Sequence, residues 1–154
     1  MQQNETVEVL NDLIQINNDR IEGYEKAMND AEPIDADLKA IFFKMANESK
    51  DYVRELNEAV IGMGGVPTQT TTVSGKVYRA WMDVKAAFTT EDRTNLLELC
   101  EFGEDAAQKA YDAALASDAP MSVDVRQLIT SQQQSLRTSH DIVKRYRDMH
   151  KAIL

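Results

Sequence analysis

The sequence predicts an all-α fold, a four-helix bundle made of two helical hairpins, and three observations carry that prediction. Apolar residues recur at steps of three and four along most of the chain, the spacing of a helix face that packs into a core. The three prolines, Pro33, Pro67 and Pro120, fall between these periodic stretches and not inside them. A long polar connection separates the first pair of stretches from the second. With 154 residues, 43% of them hydrophobic, the chain has the length of one domain, 1–154, and enough apolar content to exclude disorder.

The first helix is read from Val7, Leu10, Ile14, Ile21, Tyr24, Met28 and Ala31, with Asn17 filling the one polar gap in the seam, and it stops before Glu32-Pro33. Asp35 or Asp37 caps the second, whose seam runs Leu38, Ile41, Met45, Glu48 or Ser49, Tyr52, Leu56 and Ala59. Gly62-Met63-Gly64-Gly65-Val66-Pro67 ends it with glycines and a proline stop. The polar stretch Thr68 to Gly75 is an extended connection, since no partner strand exists for it. Val77, Tyr78, Trp81, Val84 and Phe88 then mark a short amphipathic helix. Thr89-Thr90-Glu91-Asp92 caps the third bundle helix, which turns Leu97, Cys100, Glu104, Ala107, Tyr111 and Ala114 inward. The last helix starts at Ser122 or Asp124, with Val125, Leu128, Ile129, Gln132 or Gln133, Leu136, His140, Val143 and Tyr146 inward.

One constant offset pairs Leu10 with Leu97, Tyr24 with Tyr111, Ala27 with Ala114, Pro33 with Pro120 and Asp37 with Asp124. Turn, cap and seam keep step, as an internal duplication of two hairpins (about 5–63 and 90–153) requires. The connection from Gly62 to Asp92 is long enough to run the length of the bundle, so that the third helix starts at the same end as the second. A bundle with one such long crossover, here carrying an extra short helix, has the ferritin-like topology.

Di-iron and di-manganese bundles place a Glu on each of two helices and Glu-x-x-His on each of the other two. Here the offset puts Asn17 at the first position, Lys50 and Val53 at the second, Glu104 at the third, and Arg137 and His140 at the fourth. Cations where bridging carboxylates belong repel metal. Lys50 and Arg137 are therefore expected to point inward and pair with Glu104, in a polar core completed by Asn17, Tyr24, Tyr111 and His140. No catalytic residue and no cofactor is favoured. A one-residue shift of register leaves a metal reading open, with Glu48, Glu101, Glu104 and His140 around one iron or manganese ion.

Cys100-Glu101-Phe102-Gly103-Glu104-Asp105, followed by Tyr111, Pro120 and a Gln-rich helix with His140-Asp141, resembles a bacterial ferritin-like four-helix-bundle family of unassigned function. Gly64-Gly65-Val66-Pro67 and Gly75 through Trp81 resemble the same family. The resemblance implies the fold and supplies no reaction. The expected function is a non-catalytic bundle, stress-associated, whose metal centre has given way to a polar core. The alternative is an iron- or manganese-binding oxidase, peroxide-handling or iron-binding protein.

A net charge of -9 argues against a nucleic-acid partner. No apolar run is long enough for a membrane span. One cysteine and an N-terminus without a signal-peptide pattern point to the cytoplasm. Trp81, Tyr78 and Phe88 offer either a homodimer surface or a cover for the bundle.

Overall fold

The computed structural model describes residues 2–30, 36–73, 75–87 and 93–153. It contains five helices in these segments: α1 (Gln2–Asp30), α2 (Ala36–Gly62), α3 (Gly75–Ala87), α4 (Arg93–Leu115) and α5 (Val123–Ile153). The expected features at Ala31, Glu32-Pro33, Asp35, Phe88 and Thr89 to Asp92 lie outside the described residues. No described helix is long and apolar enough to cross a membrane.

Local chemistry ends and starts the helices where the sequence expects. At the end of α2, Gly64 N donates to Ile61 O (2.9 Å) and Gly65 N to Val60 O (3.0 Å). This double bond is the Schellman motif, and the required left-handed residue is Gly64, at φ 80°. Ser122 caps α5, its Oγ accepting from Val125 N at 3.1 Å.

Residues 66–73 run back along α1, stapled by its polar face. Asn11 Nδ2 donates to Val66 O (3.2 Å), Gln15 Nε2 to Thr70 Oγ1 (2.8 Å) and Asn18 Nδ2 to Thr70 O (2.9 Å), while Thr72 N donates to Asp19 Oδ2 (3.1 Å). Rising numbers on the segment meet rising numbers on α1, so the crossover is parallel to α1. α4 consequently starts at the same end as α2. Around the bundle α1 neighbours α2 and α4, and α5 neighbours the same two; among the described residues the diagonal pairs α1/α5 and α2/α4 are not neighbours. This is the ferritin-like arrangement with its long crossover.

Helix α3 lies over α1 and α4 and drives Trp81 between them. The space for the indole is the absence of two side chains. A Cβ on Gly23 would lie 2.6 Å from Trp81 Cε3, and one on Gly103 would lie 2.8 Å from Cε2 and Cζ2. Tyr24 meets the indole edge-on, with centroids 5.1 Å apart, and stacks on Phe42 at 5.6 Å. Trp81 is fully buried, so its indole covers the bundle.

The seams hold with local rotations. On α2, Ser49 and Val60 are the buried residues, and Glu48 and Ala59 sit at the margin. On α5, Ser139 takes the core position and His140 lies beside it. On α1, Arg20 is buried and Ile21 only half-buried. All three differences are slips of one residue, which both members of an i+3/i+4 pair permit.

Gly103→Ala is expected to cost about 1–3 kcal/mol, because the indole is walled by backbone on two sides and has nowhere to move. Urea denaturation followed by Trp81 fluorescence reads it directly; an unchanged midpoint would show that the slot is not tight.

Candidate functional site: a buried arginine-carboxylate centre

Helical spacing brings Asn17, Arg20 and Tyr24 to one stripe of α1, and that stripe faces Glu104 of α4. Arg20 and Glu104 are both wholly buried. Arg20 Nε donates to Glu104 Oε1 at 2.7 Å, and Tyr24 OH donates to the same oxygen at 2.6 Å. The other end of the guanidinium binds α2: Nη1 donates to Met45 O (3.0 Å) and Ser49 Oγ (2.9 Å), and Nη2 lies 3.3 Å from Met45 Sδ and 3.8 Å from Glu48 Oε1.

From Ser49 the donors run in one direction. Ser49 Oγ donates to Asn17 Oδ1 (2.9 Å), Asn17 Nδ2 to Tyr111 OH (2.9 Å), and Tyr111 OH to Gln132 Oε1 (2.7 Å). Gln132 Nε2 closes the chain on Tyr52 O (3.3 Å) and Glu55 Oε1 (3.1 Å). A single network thus touches all four bundle helices.

Burial opposes the Arg20 charge, yet the adjacent Glu104 carboxylate more than compensates and holds its pKa above the ordinary value. Burial first, and then the same carboxylate, push the Tyr24 hydroxyl and the Cys100 thiol up. Burial also raises Tyr111, against the Asn17 hydrogen bond. Cys100 is a free but inert thiol under these conditions.

Of the residues expected in the polar core, the structure brings together Asn17, Tyr24, Glu104 and Tyr111. It does not bring in Lys50, which is exposed and paired with Glu25 at 2.9 Å, or Arg137, which is exposed. Their long stems lie at the margin of the seam, from which a charged head reaches water at little cost. The buried cation is Arg20, which the sequence reading passed over in favour of Ile21. The available signal was the spacing Asn17, Arg20, Tyr24, Ala27 together with the need of a buried Glu104 for a cation.

His140 is also outside this centre. It faces α4, with Nε2 2.7 Å from Asp105 Oδ1 and 3.7 Å from Glu101 Oε1. The three acids and the imidazole of the metal reading therefore do not converge on one point. Glu104 is in the core with Arg20, Glu48 is at its margin accepting from Ser139 Oγ (2.7 Å), and Glu101 and His140 are on the outer side of α4/α5. A carboxylate-bridged dinuclear centre does not fit the core residues. They offer Glu104 and the marginal Glu48, no imidazole, and a fixed positive charge between the two.

Residues 5–117 match the family described as "Domain of unknown function (DUF2383)". No curated protein matches the sequence. Among solved structures, the chain is similar to a bacterioferritin-related protein from Bacteroides fragilis, described as a dodecameric thioferritin in the bacterial domain. The TM-score is 0.74 at 13% identity, covering 98% of this chain and 89% of that one. At that identity the likeness speaks for the fold alone.

The raised hydroxyls fix a pH dependence. Tyr24 and Tyr111 ionise near 10.0 in an unfolded chain and higher in the native state. Above that pH the unfolded chain binds fewer protons than the native one, so stability falls as pH rises. Tyrosinate absorbance is expected to show these two tyrosines silent until the protein unfolds at alkaline pH, with Tyr24→Phe weakening the dependence. Titration of all tyrosines in the native state would contradict the network.

Proposed function

The chain belongs to the DUF2383 family, and from that premise we propose that it is a non-catalytic ferritin-like bundle whose interior is cross-linked by a protein cation in place of a metal centre. One observation carries the reading: Glu104 Oε1, the core carboxylate oxygen, is already held by Arg20 and Tyr24. A guanidinium cannot be deprotonated in this setting and is tethered to α1, so the centre is permanently charged and filled. Such a bundle acts as a structural or interaction module, and stress association is part of the same reading.

The competing reading, an iron- or manganese-binding oxidase, peroxide-handling or iron-binding protein, has one observation in its favour. Glu104 Oε2 is buried and without a hydrogen-bond partner among the described residues. Fe(II) oxidation and metal content separate the two. Protein grown with excess iron and purified without chelator is expected to accelerate Fe(II) oxidation no more than buffer does. Any metal it carries is expected to survive Glu104→Gln. Iron turnover abolished by Glu104→Gln would overturn the proposal.

The charge pair has its own signature. Arg20→Met leaves a buried carboxylate without its cation and is expected to cost about 3–5 kcal/mol. Replacing both partners, as Arg20→Met with Glu104→Leu, is expected to recover much of that loss in chemical denaturation. An additive double variant would mean that the two residues do not act as a pair.

The dodecameric assembly of the B. fragilis protein supports self-association here as well. The homodimer surface first expected of α3 loses Trp81, and exposed Phe102 beside Arg79, Ala80 and Asp83 is the apolar contact we assign to it instead.

A further inference from the structure

We infer that Glu101, Asp105 and His140 form a binding site for one divalent first-row cation on the outer side of the α4/α5 pair, separate from the Arg20 centre. Glu101 and Asp105 are one turn apart on α4, and His140 meets them from α5; one ligand atom from each lies within 4.8 Å of the others. Metal bonds of about 2.1 Å place neighbouring ligand atoms about 3.0–3.4 Å apart. The two contacts of His140 Nε2, 2.7 Å to Asp105 and 3.7 Å to Glu101, bracket that range.

A plain histidine-aspartate ion pair accounts less well for the geometry. Nε2 is shielded from solvent and makes no aligned hydrogen bond, although Asp105 Oδ1 is so near. An N–H bond wants its acceptor on the ring axis. Two ligands at right angles on one ion instead lie off each other's lone-pair axes by about 45°, given equal metal bonds of about 2.1 Å. The unaligned contact between His140 Nε2 and Asp105 Oδ1 fits two ligands of one ion better than a donor and its acceptor.

The surroundings have the form of an outer shell. Asp141 Oδ1 lies 3.4 Å from His140 Nδ1, the carboxylate position that fixes the tautomer and frees Nε2 for an ion. Arg147 pairs with Glu101 Oε2, which leaves Oε1 facing the imidazole. Glu101 and His140 are largely covered and Asp105 is exposed, so the cation is held by two fixed ligands and admitted past the third. One imidazole with two carboxylates suits Zn(II), Mn(II) or Fe(II), and water completes the coordination.

Zn(II) is the probe for the test, added to the chelator-treated 154-residue chain in a His150→Gln background that leaves one imidazole. One equivalent is expected to bind, with the His140 Nε2 nitrogen resonance moving and Nδ1 keeping its proton. His140→Ala and Asp105→Asn are each expected to weaken binding by at least about tenfold, with helical circular dichroism unchanged. Glu101→Gln, which keeps the side-chain volume, is expected to do the same. Glu104→Gln is expected to leave binding intact, which distinguishes this site from a metal in the bundle core. No saturable binding, or binding indifferent to His140→Ala, would overturn the inference and leave the Arg20 proposal standing. Binding lost only on Glu104→Gln would overturn both.

Discussion

The constraint on which the bundle interior depends is a full positive charge with no access to water. Removing a guanidinium and a carboxylate from solvent costs several kcal/mol each, and their attraction offsets it only with close geometry and every remaining donor satisfied. While Glu104 Oε2 stays without a hydrogen-bond partner among the described residues, Arg20 meets the donor side of that condition on three elements at once. Its own helix supplies the stem, α4 supplies Glu104, and α2 supplies a backbone carbonyl, a hydroxyl and a thioether. A shift of any of these helices along its axis by one turn would strand the charge. The pair therefore selects one register of α1 against α2 and α4 more than it adds to total stability.

The fourth helix is tied in by side-chain hydrogen bonds and apolar packing. Among the described residues α5 carries no charged side chain into the centre; it meets the network through Gln132, and through Ser139 bound to Glu48. The Tyr111–Gln132 bond is neutral and of the kind that contributes about 0.5–1.5 kcal/mol, whereas Ser139 and Gln132 also donate to the Glu48 and Glu55 carboxylates, a kind that contributes about 1.5–3. Apolar contacts of Val125, Ile129, Leu136 and Val143 do the remaining work of holding α5. Trp81 adds a second lock on the α1/α4 side, where two glycines let α3 settle deep enough to bury the indole.

Periodicity, prolines and the length of the crossover made the helices and their order legible, because each rests on local chemistry: a glycine C-cap at Gly64, a serine N-cap at Ser122, a polar segment too long for a hairpin turn. On α4 the inward stripe Leu97, Cys100, Glu104, Ala107, Tyr111, Ala114 is buried throughout. The site was legible only in part. Asn17, Tyr24, Glu104 and Tyr111 sit at seam positions that a helical repeat identifies. Arg20 does not announce itself, since Ile21 fits the same stripe one residue on and apolarity favours it. Lys50 and Arg137 were drawn inward by the analogy with metal ligands, but nothing in a single sequence states how a flexible four-carbon or guanidino stem will turn at the margin of a core. His140 and Ser139 exchange places for the same reason. A slip of one position rotates a side chain by about 100°, enough to move it from the interior to the neighbouring groove.

That one-residue slip also separates two kinds of cation handling in this bundle. Inside, the positive charge is covalent, permanent and surrounded by acceptors, and Glu104 Oε1 has two donors, Arg20 and Tyr24. Outside, on the α4/α5 groove, the carboxylates Glu101, Asp105 and Asp141 surround an imidazole, and Arg147 holds the far oxygen of Glu101. A cation shared between Glu101, Asp105 and His140 would add a direct link between α4 and α5. One helix face away from the Arg20–Glu104 pair, Glu101, Asp105 and His140 thus bring together the donor types that a divalent ion requires.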